Sequence, residues 1–167
     1  MENQIQETVK NQVFELLRHM GFERIDIFER AEEGRVVFNI RTEDAQLLIG
    51  KQGATLEALQ HIIKALSRKA GMDEFGFGLD VDDYRDKRVV YLKELARKAA
   101  HHVRETRKAV SLIPMPAYER KIIHNYLSLF SDIRSESIGN EPNRKLIIRL
   151  KPKAKGTKDD FQFIENT

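Results

Sequence analysis

Cysteine is absent from all 167 residues, which removes disulfide frameworks, thiolate zinc sites, iron–sulfur clusters and cysteine nucleophiles together. No apolar run is long enough to span a bilayer. The stretch from Met1 to Lys10 is polar and helical in pattern, without the basic-then-apolar order of a secretory signal. A cytoplasmic address without stable membrane insertion is expected. A marked excess of one charge is missing too: the formal net charge is +3, too small by itself to require a polyanionic partner. There is no repeat at a fixed period.

What is present is an ordinary globular composition, 41% hydrophobic and 33% charged, in a chain long enough for one domain or two small ones. Ile5, Val9, Val13, Leu16, Leu17 and Met20 recur at helical spacing, with Gly21 placed to cap the helix. Ile25 and Ile27, then Val36, Phe38 and Ile40, alternate with polar residues as two strands joined by the turn Ala31 to Gly34. Thr42 reads as the N-cap of a short helix through Leu47, Leu48 and Ile49 that breaks at Gly50 and restarts after Gly53. The restarted helix aligns Leu56, Leu59, Ile62, Ile63 and Leu66 and ends at Gly71, and Phe77, Leu79 and Val81 alternate as a third strand.

From Asp83 to about Ala109 a long helix carries Val89, Leu92, Ala96, Ala99 and Val103 on one stripe. Between Arg85 and Lys108 it holds nine basic residues against Asp86, Glu94 and Glu105. That surplus reads either as a solvated helix face or as an attraction for phosphate. A second unit follows: a short strand Val110 to Ile113, a helix opened by Pro116, and strands Asp132 to Ile138 and Lys145 to Leu150. The expected division is 1–82, 83–151 and a flexible basic tail over 152–167.

Two motifs carry candidate chemistry. In Gly50-Lys51-Gln52-Gly53, the glycines permit close backbone approach, the following helix offers unpaired N–H groups and a positive dipole end, and Lys51 adds charge. Such a loop is shaped to hold a nucleic-acid backbone, the plainer reading being a tight helix–helix turn. The second motif is Arg120 and His124, four apart and so on one side of a helix; an arginine fork suits phosphate, and histidine can donate to phosphate or stack on a base.

Other chemistry finds little support. Gly76 and Gly78 lack the third glycine of a dinucleotide fingerprint, and Gly50-Lys51 lacks the rest of a Walker loop. Asp80, Asp82 and Asp83 offer a metal-dependent nuclease as an alternative, but they fit better as exposed strand carboxylates and a cap, from Asp82 or Asp83, for the long helix. His19, His61, His101, His102 and His124 show no zinc spacing. Neither catalysis nor a cofactor is called for.

Helix, two strands, helix, Ile-Gly-Lys-Gln-Gly, helix and strand resembles the type II KH domain, whose Gly-x-x-Gly loop clamps single-stranded backbone. The segment from the long helix through Tyr118-Glu119-Arg120 and His124 to the last strand resembles the R-three-H domain, named for an arginine and a histidine with three residues between them. In tandem they are similar to the bacterial Jag family, also called SpoIIIJ-associated or KhpB-like. The resemblance implies an α+β fold with a three-stranded sheet in the second domain. It implies binding of single-stranded RNA, or of single-stranded DNA, through Gly50, Lys51, Gln52, Gly53, Arg120 and His124. It brings a small single-KH companion protein and a homodimer into consideration, and a regulatory role in cell elongation and envelope synthesis. A protein-interaction adaptor is the other alternative. Many relatives begin with a further N-terminal module and linker, whereas this chain starts almost at the first KH helix, so the resemblance leaves open whether roles tied to that module are retained.

Overall fold

A computed structural model describes residues 2–32, 34–72 and 74–152. The chain divides into two units, Met1–Tyr91 and Leu92–Thr167, and the boundary falls inside the long helix rather than at its start. The tail expected over 152–167 lies outside the described residues except for Pro152.

The first unit contains α1 (Glu2–His19), β1 (Asp26–Glu32), β2 (Arg35–Arg41), α2 (Ala45–Ile49), a 3₁₀ turn (Lys51–Gly53), α3 (Ala54–Lys69) and β3 (Phe77–Val81). β1 pairs antiparallel with β2 across a short turn, and β2 pairs parallel with β3. A parallel pair requires a crossover, and α2, the glycine turn and α3 supply it. Thus the loop is the midpoint of the connection that builds the sheet. Val9, Val13 and Leu17 of α1 and Leu56, Leu59 and Ile63 of α3 are buried with Phe38, Ile40, Leu79 and Val81 of the sheet. Each such side chain contributes about 1.5–3 kcal/mol by leaving water.

The second unit begins within α4 (Tyr84–Thr106) and continues through β4 (Val110–Ser111), α5 (Ala117–Ser128), β5 (Ile133–Ile138) and β6 (Lys145–Leu150). Its sheet has the order β4-β6-β5, all antiparallel. Leu92, Ala96, Ala100 and Val103 of α4 pack with Ile123 and Leu127 of α5 and with Ile133, Leu146 and Ile148. β4 stops short of Ile113. Leu112 still donates to the Leu146 carbonyl at 2.9 Å, but Pro114 has no N–H with which to continue the ladder.

Three local expectations are corrected. Asp44, not Thr42, precedes α2, without a side-chain cap; the Thr42 hydroxyl instead accepts from the Asp44 N–H at 3.4 Å. Asp80 is fully buried instead of lying on an exposed strand face, because every residue of β3 is covered. It is also the side chain that meets the start of α4. Its Oδ1 accepts from the N–H groups of Val81 at 2.9 Å and Arg85 at 3.3 Å. Asp82 and Asp83 have φ of 49° and 54°, outside the extended conformation of an N-cap residue.

Candidate nucleic-acid interface

The geometry of the loop follows from its two glycines. Gly50 has φ 68° and ψ −173°, and a Cβ there would lie 2.0 Å from the Thr55 hydroxyl oxygen. Gly53 has φ 82°, and a Cβ would meet Cε1 of Tyr84 at 2.9 Å. Neither position accepts another residue without strain. Between them Gln52 is held at φ 54° and Lys51 is exposed. The Gly50 N–H closes α2 on the Gln46 carbonyl at 2.9 Å, whereas no side chain caps the start of α3. The turn therefore presents a cation beside the positive end of a 16-residue helix.

The flank of α3 is organised by residues that periodicity did not single out. Gln60 donates to the Phe77 carbonyl at 3.3 Å and accepts from the Leu79 N–H at 3.1 Å, which satisfies the free edge of β3. Arg85 donates to the Leu79 carbonyl at 3.1 Å and to Gln60 Oε1 at 3.2 Å. The sequence signal was weak: one polar side chain beside the apolar stripe. Leu47 of α2 and Ile62 and Leu66 of α3 remain exposed, leaving apolar surface on the same helices.

The Arg120 and His124 motif is a different kind of object. Although four apart on α5, the two side chains have opposite exposures: Arg120 is 6% exposed and His124 is open. The Arg120 guanidinium donates to the Met115 carbonyl at 2.6 Å and to Glu141 Oε1 at 2.7 Å. It thereby ties α5 to the segment before it and to the β5–β6 turn. His124 Nδ1 lies 2.7 Å from the Ser135 hydroxyl on β5, and further along that strand Arg144 donates to Ser137 at 3.1 Å. Glu141 and Ser135 were not legible as partners, since they lie 21 and 11 positions beyond the motif residues they join.

The long helix is less available to phosphate than its charge suggested. Arg97 grips Glu94 at 2.7 and 2.8 Å, and Lys87 donates to the Asp82 carbonyl at 2.6 Å. Arg104 forks onto Asp132 at 2.7 and 2.8 Å and lies over the Phe130 ring. The hydrogen-bonded Arg104 guanidinium lowers the Asp132 carboxyl to about 2.

The carboxylates near β3 gather around a guanidinium. Arg30 lies 3.4 Å from Asp83, 3.3 Å from Asp86 and 3.9 Å from Asp80. Burial pushes the Asp80 carboxyl above its usual range, against the pull of its two backbone N–H donors. Among the described residues no three His, Asp or Glu side chains are grouped to hold a metal ion. Nor is any helix among them long and apolar enough to cross a membrane.

A Gly-x-x-Gly crossover over a mixed three-stranded sheet, followed by a helix-and-sheet unit with Arg and His on its second helix, defines a tandem KH and R-three-H architecture. The family described as the KhpA/KhpB KH domain matches residues 6–74, and the R-three-H domain matches residues 90–150. The chain belongs to the KhpB family, also called Jag. It is 36% identical over 140 residues to the RNA-binding protein KhpB of Clostridium symbiosum, covering 84% of this chain and 62% of that protein. With the Bacillus subtilis KhpB it shares 40% over 129 residues, 75% of this chain and 62% of the relative. With that of Lactiplantibacillus plantarum it shares 39% over 113 residues, 68% of this chain and 35% of the relative. The chain thus spans between a third and two thirds of the length of these relatives.

Proposed function

We propose that the protein binds single-stranded RNA, with the backbone gripped at Gly50 to Gly53 and a second contact at the His124 side of α5. The observation that carries this reading is the loop itself. Two obligate glycines bring the chain to a helix start that no side chain caps, with Lys51 exposed beside it. The exposed Leu47, Ile62 and Leu66 suit unstacked bases. The names of the curated relatives, each called an RNA-binding protein, support the choice of nucleic acid.

In the second unit His124 is the contacting residue, and Arg120 has a double assignment: it holds the Glu141 turn and reaches phosphate only by exchanging that carboxylate. Two weak sites on one chain raise each other's effective concentration, so the pair binds more tightly than either unit alone. The setting implied by the family resemblance is post-transcriptional control linked to cell elongation and envelope synthesis, with a small single-KH protein as companion.

The test is the replacement of both Lys51 and Gln52 by aspartate. Their side chains are not buried, so the fold should survive while affinity for a labelled single-stranded RNA falls more than about tenfold. Unchanged affinity in an anisotropy titration would remove the loop from the interface.

A further inference from the structure

At the far end of α3 from the glycine loop lies a cavity of about 310 Å³, lined by Arg35, Lys64, Ser67 and Arg68 and by Met72, Phe75 and Phe77. Its apolar floor is ordered: Phe75 stacks on Phe77 with centroids 6.1 Å apart, Phe77 is 4% exposed, and Ser67 is buried and bonded to Gln12 at 3.0 Å. Its rim is cationic. None of the described residues lining it carries a negative charge. Several arginines elsewhere meet carboxylates, as Arg97, Arg104, Arg120 and Arg149 do. Here Arg35, Lys64 and Arg68 converge from β2 and α3 without any ion pair among the described residues. Arg68, in the last turn of α3, also offsets the helix dipole. That accounts for one of the three; Lys64 sits a turn earlier and Arg35 on another element.

We propose that this cavity is a nucleotide subsite, in which one base rests against Phe75 and its phosphate is held by Arg35, Lys64 and Arg68. The chemistry matches in both halves: aromatic faces stack on bases, and arginines fork onto phosphate. The volume lies at the lower limit of small-ligand pockets, about 300–1,000 Å³, which suits one nucleotide and not a longer segment. Along α3, at 1.5 Å per residue, Lys64 and Arg68 lie about 16–23 Å from Gly53. A strand gripped at the loop therefore reaches the cavity only if it extends several nucleotides beyond that grip. This inference rests on the loop reading and adds a length requirement to it.

The experiment compares labelled RNAs of four and ten nucleotides on the full chain. Wild type should prefer the longer RNA. The triple variant Arg35→Ala, Lys64→Ala, Arg68→Ala, whose side chains are all exposed, should bind the longer RNA about tenfold more weakly. Its binding of the shorter one should stay within about twofold, and its salt dependence should flatten by about one phosphate equivalent. Phe75→Ala should lose about fivefold on the longer RNA with the salt dependence unchanged. If both variants keep the wild-type preference for length, the cavity is not a subsite. If wild type binds neither RNA, the loop reading has failed first. Uridine monophosphate distinguishes the two sources of the nucleotide. Competition against the length-dependent gain assigns the cavity to a free nucleotide as well, and absence of competition reserves it for the bound strand.

Discussion

The KH unit and the R-three-H unit each carry a short motif that reads as a phosphate contact, yet the fold treats them oppositely. Around Gly50 to Gly53 the backbone is constrained and Lys51 is left open. Around Arg120 the backbone is ordinary helix, and it is the charged side chain that is enclosed, bonded to Met115 and Glu141. A binding motif can therefore be a charge that a constrained turn leaves exposed, or an anchor that the fold already uses. The two are separated by burial and partners, not by residue type.

The sharpest way to break this contrast is Arg120→Ala. Losing a buried guanidinium strands the Met115 carbonyl and removes the anchor of the β5–β6 turn, and should cost the second unit about 2–3 kcal/mol in urea unfolding. A loss below about 0.5 kcal/mol would place Arg120 with the open donors instead. Next in size is Gly53→Ala, which combines a left-handed backbone with a contact on the Tyr84 ring. It should cost the first unit about 1–2 kcal/mol in the same measurement and weaken RNA binding together with stability. His124→Ala should do the reverse of Arg120→Ala: leave stability within about 0.5 kcal/mol and lower RNA affinity a few fold by anisotropy titration.

The smallest effects are those of pH, and they have opposite signs in the two units. Asp132 is depressed to about 2 by Arg104. Its contribution is present above the ordinary carboxylate value and fades as pH falls toward 2. The stability advantage of wild type over Asp132→Asn should therefore vanish across that window. Asp80 is raised by burial. Its contribution is full below the ordinary value and is lost as pH rises through the raised one. Thermal melts of Asp80→Asn against wild type should then shift in favour of the variant as pH rises from acid toward neutrality.

Much of the architecture was legible from local pattern. The apolar period of α1 and α3, the alternation in β2 and the glycines of the loop are encoded by neighbours a few positions apart, and the structure bears out the order they implied. Charge was less legible. Nine basic residues along one segment look like an open face when counted, but Arg97, Arg104 and Lys87 are already engaged, Arg104 with Asp132, 28 positions away. Asp80 shows the same limit. Alternation made it a solvent-facing carboxylate, whereas cover on both faces of β3 made it a buried acceptor.

By itself, then, the sequence determined the element order, the crossover that carries the glycine loop, and the family to which the chain belongs, because helical period, strand alternation and glycine conformation are short-range properties. Tertiary structure alone decided that Arg120 is an anchor and His124 is open, that Gln60 closes the edge of β3, and that Arg35, Lys64 and Arg68 line one cavity with Phe75. Each depends on which residues distant in the chain meet in space, and no periodicity records that.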